Sequence, residues 1–117
     1  MFRTGVLFMS SSKDYAAYVV ERLKRYYDIR YRKMFGEYMI YIDDKPIILI
    51  CDDQPYIKIH ESTEYILKDA PKGYPYKGAK LHYLLDIDDI DLLRQVVDAL
   101  LPFIILKPKR KKVKQTI

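Results

Sequence analysis

Ala16, Val19, Val20, Leu23 and Tyr27 recur at the i, i+3, i+4, i+7 spacing of one buried helical stripe, with charged residues between them. A helix is therefore predicted over residues 13–27, capped by Ser11 or Ser12. From Arg30 onward the period drops to two. Tyr38, Ile40 and Ile42 fall on one side of a strand, Met39 and Tyr41 on the other, and Asp43-Asp44-Lys45-Pro46 turns the chain. Residues 47–51 make the next strand and Asp52-Asp53-Gln54-Pro55 the next turn. In a third strand, residues 56–60, Ile57 and Ile59 alternate with Tyr56, Lys58 and His60. Connections this short make the meander antiparallel. The strands around Tyr41 and Ile48 are apolar on both sides, which places them centrally and calls for a cover on each face: a helix on one, a partner on the other.

Residues 61–68 follow as a short helix. The stretch from Ala70 to Gly78 holds too much Pro and Gly for anything but an ordered loop, which Tyr74 and Tyr76 are expected to pin to the body. A strand over 80–86 puts Leu81, Tyr83 and Leu85 on one face. The last helix repeats Ile90, Leu93, Val97, Leu100 and Leu101 until Pro102 interferes. The expected class is α+β: two layers, an antiparallel sheet of about five strands with helices packed on it, in the order α-β(3)-α-β(1-2)-α.

A chain of 117 residues is one domain, long enough to bury roughly two-thirds of its unfolded surface. Residues 1–10 form an extension in which Val6-Leu7-Phe8-Met9 adds an edge strand or simply precedes a start at Met9. Residues 11–102 are the domain and 103–117 a basic, disordered tail. The longest apolar runs, Ile47 to Cys51 and Phe103 to Leu106, fall far short of the roughly twenty residues that span a bilayer. With a lone Cys51 and no secretory leader pattern, a cytoplasmic location is expected, away from membranes.

Charge changes the picture more than composition does. The net charge is +5, yet Lys107, Lys109, Arg110, Lys111, Lys112 and Lys114 supply six cations in the last eleven residues. Removing those six leaves 15 basic against 16 acidic side chains, a body of net charge −1. The basic character thus belongs to the tail, which is either a solubilising end or a salt-sensitive phosphate-binding arm.

Candidate chemistry mostly fails on inspection. Asp86-Ile87-Asp88-Asp89-Ile90-Asp91 lacks the fifth-position oxygen and sixth-position Gly of an EF-hand loop, and Asp88 or Asp89 suits the start of the last helix. Ser10 and Lys13 match S-x-x-K without the partner motifs of penicillin-interacting enzymes. Cys51 ends an apolar strand, which suits a buried thiol better than a nucleophile for His60. Cys51, His60 and His82 do not have zinc-site spacing. No metal, cofactor or catalytic residue is expected. Tyr26, Tyr27, Arg30, Tyr31, Arg32, Lys33, Phe35 and Tyr38 do interleave aromatics with cations, the composition of a base-stacking surface. The competing expectation is aromatics packed under the first helix, with the cations' stems lying over them.

Arg32-Lys33-Met34-Phe35-Gly36-Glu37-Tyr38, Tyr41, the Asp44-Lys45-Pro46 turn, Cys51-Asp52-Asp53-Gln54 and Tyr56-Ile57-Lys58 together resemble the TfoX (Sxy) N-terminal domain family. Tyr18-Val19-Val20-Glu21, Tyr74-Pro75-Tyr76 and Ala99-Leu100-Leu101-Pro102 support the likeness, which runs from about Ser10 onward. The resemblance implies a compact α+β domain. In the competence regulators that name the family it precedes a C-terminal domain, and the whole protein promotes transcription of DNA-uptake genes with the cyclic AMP receptor protein. This chain is expected to be a single-domain member lacking that second part. The seven-residue motif implies fold roles: Gly36 at positive φ or a bulge before the hairpin, Glu37 paired with Arg32 or Lys33.

The function expected is a non-enzymatic regulatory or adaptor domain acting by contact with another protein, one of the transcription machinery or a second copy of the chain. The alternative is direct nucleic-acid binding through the tail and the edge formed by Arg30, Arg32 and Lys33.

Overall fold

The computed structural model describes residues 13–105. The elements are α1 (Lys13–Leu23), β1 (Ile29–Met34), β2 (Glu37–Ile42), β3 (Lys45–Cys51), β4 (Gln54–Lys58), α2 (Glu61–Glu64), β5 (Lys72–Gly73), β6 (His82–Leu84) and α3 (Ile90–Leu100), closed by a 3₁₀ turn at Leu101–Phe103. All strands form one antiparallel sheet in the order β1-β2-β3-β4-β6-β5. Two layers result, an α+β fold as expected, with six strands in place of about five.

The extra strands have identifiable origins. Phe35 and Gly36, both at positive φ (50° and 84°), are the two central residues of a hairpin turn that pairs Met34 with Glu37. The seven-residue motif therefore straddles a turn, and Ile29–Met34 is a strand of its own. Gly36 sits at positive φ inside the turn, and the irregularity in register comes later, between Ile40 and Tyr41. Asp43-Asp44 and Asp52-Asp53 repeat the same turn with φ between 52° and 68°, pairing Ile42 with Lys45 and Cys51 with Gln54. Aspartate tolerates the left-handed region because its short polar side chain bonds locally. β5 is a two-residue strand within the expected loop.

The first helix stops at Leu23, four residues earlier than predicted. Tyr26 and Tyr27 still bond back to the Leu23 carbonyl, but Asp28 gives its carbonyl to the Asp43 amide and its own amide to the Asp43 carboxylate, which starts the β1–β2 ladder. The cap expected from Ser11 or Ser12, the residues of the possible edge strand at Val6 to Met9, Ser10 and the tail cations lie outside the described residues. α2 is one turn in place of two. His60 caps it by accepting from the Ser62 amide, and the buried Thr63 hydroxyl donates to the His60 carbonyl. Asp89 caps α3 through the Leu92 amide, while Asp88 accepts from the Tyr18 hydroxyl.

One face of the sheet carries the core. Ile40, Ile42, Ile48, Ile50 and Ile57 are fully buried there with Tyr38 and Tyr83, against Ala16, Val19 and Leu23 of α1 and Leu93, Val96, Val97 and Leu100 of α3. In the loop before β6 the anchor is buried Pro75, and Tyr74 and Tyr76 on either side of it are exposed, the reverse of the expectation. Leu81 is likewise exposed, while Tyr83 and Leu85, expected to share its face, are buried. No helix among the described residues is long and apolar enough to cross a membrane.

Candidate functional site

Strand alternation sends every second residue to the face opposite the helices. The pairing registers align those residues in rows: Arg30, Tyr41 and Pro46; then Arg32, Met39, Leu49, Tyr56 and Leu84; then Met34 with Glu37 and Cys51 with Gln54. Lys58 and His82 extend the first row across β4 and β6. Among the described residues no helix lies on this face.

Three hollows run along it in the strand direction. At the end of the β1–β2 turn, one of about 430 Å³ is lined by Met34, Phe35, Glu37, Met39, Leu49 and Tyr76. A shallow central one of about 130 Å³ shares Met39 and Leu49 with it and adds Pro46, Ile47, Tyr56, Lys58 and His82. At the far end the largest, about 680 Å³, shares Pro46 and Lys58 and is walled by Tyr41, Asp44, His60, Phe103, Ile104 and Ile105. The three form one trough. Its far wall is held in place by the Lys45 ammonium, which donates to the Leu101 carbonyl at 2.9 Å, and by the Phe103 ring lying 5.2 Å from that of His60. Phe103 (57 % exposed) and Ile105 (83 %) therefore stand open at one end, Phe35 (103 %) at the other.

Phe35 combines two unfavourable features. An aromatic at φ 50° holds a backbone conformation that costs on the order of 1 kcal/mol, and its ring is entirely in water.

The motif residues split between roles. Gly36 forms the turn and Tyr38 is buried on the helix side, edge-on to Tyr31 at 5.6 Å. Arg32, Met34 and Glu37 belong to the open face, and Lys33, paired with Tyr38, lies on the other. Glu37 makes neither expected ion pair. It accepts from the Cys51 thiol, whose pKa burial first and then Glu37 push up to about 12, so Cys51 is not poised as a nucleophile. Cys51 and His60 sit at opposite ends of β4, separated by roughly 20 Å of strand. Asp86 bonds the Asp88 amide, and among the described residues no three His, Cys, Asp or Glu side chains gather in a metal-holding cluster.

The aromatic and cationic residues likewise do not form one surface. Arg94 stacks on Tyr26 at 4.0 Å, Tyr27 donates to Asp98 at 2.6 Å, and Tyr31 and Tyr38 face inward. Arg30 lies over Tyr41 at 4.8 Å and pairs with Asp44 at 3.1 Å. Sequence reasoning missed Phe103 to Ile105 as part of the site, since only the 3₁₀ turn after α3 brings them back beside Tyr41.

A small two-layer α+β domain, covered by helices on one sheet face and open and apolar on the other, is thus what fold and site define. The chain belongs to the TfoX N-terminal domain family, whose sequence pattern matches residues 21–98. It is 33 % identical over 112 residues to an uncharacterised 12.7 kDa protein from the trpE 5′ region of Spirochaeta aurantia, covering 91 % of this chain and 95 % of that one. No solved structure matches it significantly.

Proposed function

We propose that this chain is a regulatory or adaptor domain without chemistry of its own, and that it acts by docking to another protein through the open face of its sheet. The observation that carries this is the trough: a largely apolar run of hollows from Phe35 to Ile105 on a face that no helix among the described residues covers. Met34 and Met39 give that surface adaptable side chains of the kind used at binding surfaces, and membership of a family named for transcription regulators suggests the setting. Recovering partners from the native cell with the wild type and with Leu49→Lys tests it. The variant is expected to lose a partner while keeping its melting temperature within a few degrees. Equal recovery by both, or turnover of a substrate that a single cleft substitution abolishes, counts against it.

Nucleic-acid binding is the second reading. It is favoured by one observation, that the six cations of residues 107–114 begin two positions after Ile105, which stands at the end of the trough. Against it, Arg30 is already paired with Asp44 and Lys33 lies on the opposite side of β1 from Arg30 and Arg32. Titration of labelled DNA and RNA at two salt concentrations, with and without residues 107–117, decides between arm and bystander.

A further inference from the structure

The trough is not symmetric along its length. One end presents a projection, Phe35, entirely solvent-exposed on a strained turn. The other, about 20 Å away along β2, presents the largest hollow, walled by Phe103 and Ile105. We propose that the open face binds a second copy of this chain, face to face about a two-fold axis that lies in the sheet plane across the strands, so that Phe35 of each copy fills the far hollow of the other. This rests on the docking reading above and names its partner.

Three features favour a second copy. A two-fold axis in this direction exchanges the two ends, so projection meets hollow twice, and the contact closes on itself as an isologous dimer must. The charges exchange in the same sense: Glu37 lies at the Phe35 end, and it is carried toward the end that holds Lys58, where Arg30 is already paired with Asp44. Area is sufficient as well. Phe35, Tyr76, Phe103 and Ile105 alone present roughly 500 Å², well over half of the roughly 800 Å² per partner that a stable dimer buries.

Sedimentation velocity of the full chain, from micromolar to hundreds of micromolar, is the test. The wild type is expected to dimerise, and Phe35→Asn, whose new side chain suits the turn, to weaken association about thirtyfold or more without loss of fold. Ile105→Asp at the hollow is expected to do the same. Mixing these two variants then discriminates, because a mixed pair retains one intact Phe35 in one intact hollow and must associate more tightly than either variant alone. A wild type that stays monomeric at every concentration overturns the proposal. So does Phe35→Asn dimerising as tightly as the wild type, or a mixture no tighter than its components. If association fails while Leu49→Lys still loses a different protein partner, the docking reading stands and the second copy is the wrong occupant. If both fail, both fall.

Discussion

The two faces of the sheet are drawn from the same strands and differ in the kind of apolar residue they use. Toward the helices the positions are Ile40, Ile42, Ile48, Ile50 and Ile57, all with no exposed surface. Toward the open side they are Met34, Met39, Tyr41, Leu49 and Tyr56, all half-buried. Branched Ile side chains have few rotamers and fix one complementary surface, whereas Met bends to fit and Tyr keeps a polar tip for water. One face is finished by this chain. The other is left half-exposed among the described residues.

The contrast should be largest in stability. Ile50→Ala is expected to cost about 3 kcal/mol, since a cavity opens in a core that helices hold rigid. Its neighbour Leu49→Ala should cost about 1 kcal/mol or less in the monomer, read as midpoint shifts in urea titration. Comparable losses would erase the distinction between the faces.

Alkaline pH should expose the same asymmetry on the helix side. Burial, together with Asp53, Asp88 and Asp86, raises Tyr15 to about 12, and burial with Asp98 raises Tyr27 to about 12. A phenol whose folded pKa lies above its unfolded value of 10.0 stabilises the fold fully below pH 10, and that contribution is lost as pH rises toward 12. Stability should therefore fall between about pH 10 and 12, in step with ultraviolet phenolate absorbance, and Tyr27→Phe should flatten part of the slope. A phenolate titration complete well below pH 12 would contradict the burial of these rings.

Smallest in size and opposite in sign is Phe35→Asn. Relief of positive-φ strain should raise the stability of the monomer by about 1 kcal/mol, measured where the wild type does not associate. A residue kept at a cost to folding sharpens the case that the open face serves something other than folding. Destabilisation would mean that Phe35 supports the fold itself.

Much of this architecture was legible from periodicity. The stripe of α1, the β2–β3–β4 meander and α3 with its Asp89 cap all follow from residue spacing, and the two-sided apolarity around Tyr41 and Ile48 pointed to an open face. β1 was missed because Arg30, Arg32 and Lys33 drew attention as a charge cluster, and because an aromatic at positive φ gives no turn signal. The pairing of β4 with β6 joins residues more than twenty apart, and no local pattern encodes it. The far hollow was invisible for a similar reason: Phe103 to Ile105 adjoin the basic run in sequence and acquire their position from Lys45 holding the Leu101 carbonyl.

Three two-residue turns in succession also dictate how quickly this molecule assembles. From β1 through β4 each strand meets its neighbour across a loop of two residues, so closing entropy is minimal and the ribbon can zip up locally. Docking of β6, after the long excursion from Lys58 to His82, is the step that must search. Refolding kinetics should accordingly show substitutions in the early ribbon slowing folding, while those in β6 mainly hasten unfolding.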